Sequence, residues 1–169
     1  MRTLQCVLLV PIGLFAVYFD LRRDKIPNLL IVIGLILGWS FQLIQNGLLG
    51  VVVFFGGMGL PLVLGAVLYY FRMMGAGDIK LLAVAGGFLG PQEAVYCAAA
   101  SLLVGAALSA VVLFKRKNLK KRLLYFYSYM YRQQTGEWEP YLNETDQDGR
   151  IHFAVAILGA ILLYMGGVY

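Results

Sequence analysis

The chain has 169 residues, of which 60% are hydrophobic and only 14% are charged. About a quarter of the residues in a typical soluble domain are charged, so this composition indicates an integral membrane protein instead. The formal net charge of +5 does not indicate a nucleic-acid partner, because the basic residues cluster between apolar runs, where they report on topology and on contact with anionic lipid.

Six apolar runs predict an all-α, polytopic membrane protein with six transmembrane helices. The runs cover residues 4–19, 29–44, 48–71, 79–90, 94–114 and 151–168. No small-x-small cleavage site precedes Asp20, so we expect a retained first helix rather than a signal peptide. We expect one membrane-embedded domain over residues 1–169, with a polar cytoplasmic insert at about 115–150.

The fourth run is short. Its 12 residues would span only about 18 Å as a helix, against a hydrocarbon core of ~30 Å. One explanation is that the preceding segment, Gly75-Ala76-Gly77-Asp78, lies below the membrane surface as irregular backbone buried within the bundle. Its glycines allow tight packing and unusual backbone angles. An acidic residue at such a depth is a functional-site hypothesis by default.

The basic residues are distributed unevenly between the two sides of the predicted bundle. Of the 14 Lys and Arg residues, all but Arg2 fall after the first, third or fifth run. The positive-inside rule therefore places these connections in the cytoplasm and both chain ends outside a cell membrane. Asp20 and Asp78 then lie at the same, cytoplasmic membrane depth, so we expect their side chains to meet.

Two neighbouring carboxyl groups cannot both ionise easily, so one keeps its proton while the other acts as a base. A water molecule held between Asp20 and Asp78 could then be activated by one carboxyl group and attack an amide carbonyl that the other protonates. This is the chemistry of an aspartic protease, which needs no metal and no cofactor. Cys6 and Cys97 form no C-x-x-C pair, so a zinc site is not indicated.

Each polar residue of this region also has a simpler interpretation. Asp20 can be a solvated acid at a helix end, paired with one of the basic residues that follow it. Asp78 can be the N-cap of the fourth helix, which is compatible with catalysis. Lys80 can extend to the membrane surface or tune Asp78, and Asn28 can cap a helix or bond Asp20, the structural role being favoured.

These segments resemble the motifs of the type IV prepilin peptidases, which are intramembrane aspartic proteases of the G-x-G-D class. The segment 75–81 resembles the G-x-G-D-x-K motif, and Asp20 followed by Ile26-Pro27-Asn28 resembles the first catalytic aspartate and the I-P-N turn. The segment 151–157 with Gly159 resembles the last helix, I-P-[FY]-x-x-A-[IL], although His152 stands where proline is usual.

The resemblance implies a prepilin leader peptidase of a type IV pilus system, with a dyad of Asp20 and Asp78. The implied substrate is a prepilin-like membrane protein whose short basic leader is cut in the cytoplasm, just before its hydrophobic helix. Longer members carry an insert with two C-x-x-C pairs, associated with N-methylation, so methyltransferase activity is not expected in this short form. The supporting motif residues are Gly75, Gly77, Lys80, Pro27 and Asn28.

The polar insert divides into a basic and an acidic half. In residues 115–134 apolar residues recur at helical spacing among basic ones. This pattern predicts an amphipathic helix on the anionic inner leaflet, with a solvated helix as the alternative. Residues 137–148 are acidic and could attract a basic leader. His152, just beyond the insert, is interpreted as an interface residue rather than a ligand or base.

Two other functions compete with the peptidase. A small ion- or proton-coupled transporter could use the same two aspartates as carrier sites. A membrane scaffold for a pilus or secretion system would need neither of them.

Overall fold

The computed structural model describes residues 2–70, 74–115 and 152–167. Within them the chain is all-α, as predicted, with six helices and no strand. Most of the polar insert, including its predicted amphipathic helix and acidic segment, lies outside the described residues. The helices are α1 (Arg2–Arg23), α2 (Asn28–Asn46), α3 (Leu49–Tyr70), α4 (Ala76–Leu89), α5 (Pro91–Lys115) and α6 (Phe153–Met165).

Three of the described helices are long and apolar enough to cross a membrane. They are Asn28–Asn46, Leu49–Tyr70 and the Pro91–Val112 part of α5. The helix α6 is apolar but has only 13 residues, and α4 has only 14. The chain is thus a multi-pass helical protein of the membrane, while the crossing by all six runs stays a prediction.

Residues 1–105 and 152–169 cluster into one compact unit, and residues 106–151 form a second. The helix α4 lies in the core of the first unit, since every residue from Leu81 to Leu89 is buried. It packs most extensively against α3. There Gly57 and Gly86 face each other so closely that a Cβ on either would overlap the carbonyl group of the other. Such close backbone contact is typical of helix packing in membranes.

Glycine residues end both α2 and α4. Gly47 and Gly90 have positive φ angles, 56° and 90°. Their N–H groups donate to Leu43 and Gly86, at 2.9 and 2.8 Å. Because glycine adopts this conformation without steric cost, α2 and α4 can end here.

Side-chain amides complete the end of α4. The side chain of Gln42 is 2% exposed, and its Nε2 donates to the carbonyl oxygen of Phe88 at 2.8 Å. Nε2 of Gln5 donates to the same oxygen at 3.2 Å, and Oε1 of Gln5 accepts a hydrogen bond from the Tyr164 hydroxyl. Carbonyl groups at a helix end have no partner within the helix, so these donors allow a short helix to end inside the protein.

Candidate active site

Four segments of the first unit meet around the two aspartates. They are the end of α1, the turn before α2, the start of α4 and the start of α6. Each carries at least one of the polar residues or motifs that the sequence singled out.

Asp20 lies in the last turn of α1 and is half-buried. Its carboxylate accepts a hydrogen bond from the backbone N–H of Ala154, in the first turn of α6. Its second oxygen, Oδ2, is buried and has no hydrogen-bond partner among the described residues. A buried carboxyl oxygen without a partner is unfavourable for folding.

Asp20 forms no ion pair with Arg22, Arg23 or Lys25 in the described part of the chain, so the pairing that the alternative interpretation supposes is not found. The guanidinium groups of Arg22 and Arg23 lie over the rings of Tyr18 and Phe19, at 4.8 and 5.8 Å from the ring centroids.

Asp78 lies in the first turn of α4, which corrects two sequence-based expectations. Gly75 is the N-cap, with φ −75° and ψ 147°, so Asp78 is the third helical residue and not the cap itself. The segment expected to be irregular is therefore helical from Ala76 onward. The Asp78 carboxylate accepts a hydrogen bond from the N–H of Gly75, which is one half of a capping box.

The fold brings Asp20 and Asp78 close enough to interact electrostatically. Asp20 and Asp78 each lie just outside an apolar run that is predicted to cross the membrane, 4–19 and 79–90 respectively. Burial raises the pKa of the Asp20 carboxyl group above its usual value. Burial, and then the neighbouring Asp20, raises the pKa of Asp78 to about 6. The two carboxyl groups therefore resist simultaneous ionisation.

The supporting motif residues hold the start of α4 against the start of α2. Nζ of Lys80 donates to Oδ1 of Asn28 at 3.0 Å, so neither the capping role nor the bond to Asp20 considered for Asn28 is found. A Cβ at Gly77 would lie 3.5 Å from Cβ of Ile26, an ordinary contact. Pro27 is extended, with φ −62° and ψ 133°, and precedes α2.

His152 is part of this site, whereas the sequence predicts only an interface residue. Its Nε2 lies 3.4 Å from Oδ1 of Asp24, and its charge, when present, lowers the pKa values of Asp20 and Asp78. The available signal was position, because His152 is the second residue of the last apolar run, at the membrane depth predicted for both aspartates.

Comparison with known proteins gives one match. Residues 7–110, more than half of the chain, match the model of Peptidase_A24, the type IV leader peptidase family. The match includes Asp20, the I-P-N turn and the G-x-G-D segment. No curated protein and no solved structure matches the chain.

Proposed function

The chain belongs to the type IV leader peptidase family, and from this premise we propose that it is an aspartic endopeptidase that removes the leader of a prepilin-like membrane protein. Membership makes it a protease of the membrane. The observation that carries the finer proposal is the electrostatic pair of Asp20 and Asp78 within the matched region. Because the two residues are far apart in the sequence, it is the fold that brings them together.

The proposed reaction uses both carboxyl groups and one water molecule. Asp20 is the base, because its unpartnered Oδ2 can accept a proton from the water. Asp78, whose pKa is raised to about 6, donates its proton to the carbonyl oxygen of the scissile amide, giving a gem-diol. Asp20 then passes its proton to the leaving nitrogen, the C–N bond breaks, and one gem-diol hydroxyl returns a proton to Asp78. The sum is one amide and one water converted to an acid and an amine.

The proposed topology is six membrane crossings in the cell membrane, with the active site on the cytoplasmic side. It is supported by the uneven distribution of Lys and Arg. A basic leader would there approach Asp20, Asp24 and Asp78, a set of acids that favours a cationic peptide. The basic half of the insert, residues 115–134, is proposed to contact anionic inner-leaflet lipid. No metal, cofactor or nucleic acid enters this proposal.

The supporting residues have a structural part in it. Gly75 is the N-cap of α4, and Gly77 lies in its first turn beside Ile26. Lys80 and Asn28 tie that turn to α2, and Pro27 sets the entry into α2. Together they would keep Asp78 at a fixed depth beside Asp20.

Purified protein in liposomes provides the test. It is incubated with a prepilin-like protein that has a basic leader ending in glycine, and the product is examined by mass spectrometry and N-terminal sequencing. We expect one new N-terminus just before the hydrophobic helix. An intact substrate, together with aspartate-dependent ion flux across the same liposomes, would replace the peptidase with a transporter.

A further inference from the structure

His152 and Asp24 join two segments that are far apart in sequence. The contact between Nε2 of His152 and Oδ1 of Asp24, at 3.4 Å, lies at the rim of the site, with side chains 29% and 58% exposed. Given the proposed peptidase function, on which this inference rests, we propose that the pair is a clasp that positions Asp20 by holding the start of α6 against the end of α1. His152 and Asp24 are then positioning residues.

The backbone at Asp24 supports a specific role for this residue. Its φ of 50° makes it the non-glycine residue with a positive φ in the described ranges. Most L-residues avoid this conformation, while Asp and Asn tolerate it best. The N–H of Asp24 donates to the carbonyl oxygen of Asp20 at 3.0 Å, so the conformation of Asp24 is coupled directly to the last turn of α1.

The other side of the clasp reaches the carboxylate of Asp20. Ala154, two residues beyond His152, donates its backbone N–H to that carboxylate. Asp20 is therefore held twice, through its carbonyl group by Asp24 and through its side chain by the first turn of α6. If the clasp opens, the start of α6 is free to withdraw the donor that orients the reacting carboxyl group.

Four variants separate the clasp from a general effect on folding. His152→Phe keeps a ring but removes the donor, and Asp24→Gly keeps a residue that favours positive φ but removes the acceptor. His152→Gln and Asp24→Asn are the conservative partners, since each retains a polar atom for the contact. For each variant, kcat, KM and the pH profile of cleavage are measured with the full-length protein in liposomes. Asp20→Asn is the inactive control.

We expect His152→Phe and Asp24→Gly to lower kcat about tenfold at unchanged KM, because a displaced catalytic group loses turnover rather than substrate binding. In His152→Phe the acid limb of the profile should move up by about half a pH unit, because the lost hydrogen bond and the charge of His152 both favoured ionised Asp20. In Asp24→Gly this shift should be smaller, because the Asp24 charge that raises the pKa of Asp20 is removed as well. The double variant should be no slower than either single one. The conservative variants should retain most of the turnover.

Normal turnover and a normal pH profile in both disruptive variants, with Asp20→Asn inactive, would refute the clasp and leave the peptidase intact. Equal cleavage by wild type and Asp20→Asn, or none by either, would refute the proposed function and the clasp with it. If His152→Phe fails to insert into the membrane, Asp24→Gly decides, because glycine keeps the backbone conformation of that turn.

Discussion

Ionised Asp78 is less favourable for the folded protein than protonated Asp78. Burial, and then the nearby Asp20, raises its pKa from 3.8 to about 6. The folded protein thus binds a proton that the unfolded chain has released, and stability falls as pH rises from about 4 through about 6. Function is served at the expense of stability at neutral pH.

Replacing Asp78 by Asn should therefore stabilise the protein above pH 6, because an uncharged side chain avoids both the desolvation and the repulsion. Thermal unfolding in detergent should show Asp78→Asn melting a few degrees above wild type at pH 8 and close to it at pH 4. Glu93→Gln provides the matched loss of a carboxyl group outside the site. Equal melting temperatures of wild type and Asp78→Asn at pH 8 would show that ionised Asp78 does not destabilise the folded protein.

At the scale of the helices, the contact between α3 and α4 depends on the absence of side chains. Gly57→Ala places a methyl group against the carbonyl of Gly86, and such overpacking costs about 1–3 kcal/mol. Gly59→Ala is the matched control in the same helix, because nothing lies within 4 Å of a Cβ there. Chemical unfolding in mixed micelles should separate the two, and similar losses at both positions would contradict the close contact.

The end of α4 offers a second prediction at this scale. Gln42→Leu removes the buried donor to the carbonyl oxygen of Phe88. It should lower the free energy of unfolding by about 1–3 kcal/mol, because that buried carbonyl group loses a hydrogen bond. Gln92→Leu changes an exposed amide in the next helix and should be nearly neutral. Hydrogen exchange at the last turn of α4 is the direct readout, and unchanged protection in Gln42→Leu would refute the capping role.

The topology of the whole molecule follows from charge and can be tested at the two ends of α2. Lys25 and Leu48 are exposed residues flanking that helix. In a variant without the native cysteines, Leu48→Cys should react with a membrane-impermeant thiol reagent added to intact cells. Lys25→Cys should react only after the membrane is opened. The reverse pattern would place the aspartates outside the cytoplasm.

Much of this architecture can be predicted from the sequence, since apolar runs, turn residues and the I-P-N and G-x-G-D segments are local patterns. The helical first turn of α4 could not be predicted, because glycines disfavour a helix in isolation, yet the helix begins at Ala76 after the N-cap Gly75. His152 was missed for a different reason. Its partner Asp24 lies far away along the chain, and such a pairing leaves no local pattern.

The most direct test of the proposed dyad is the kcat/KM of leader cleavage for Asp20→Asn and Asp78→Asn, measured beside Glu93→Gln in reconstituted protein of verified fold. General acid and base groups contribute about 10²–10⁴-fold each. We therefore expect each dyad variant to lose at least about 10²-fold and Glu93→Gln to remain near wild type. Near-normal cleavage by either Asn variant would contradict a shared-water mechanism at Asp20 and Asp78.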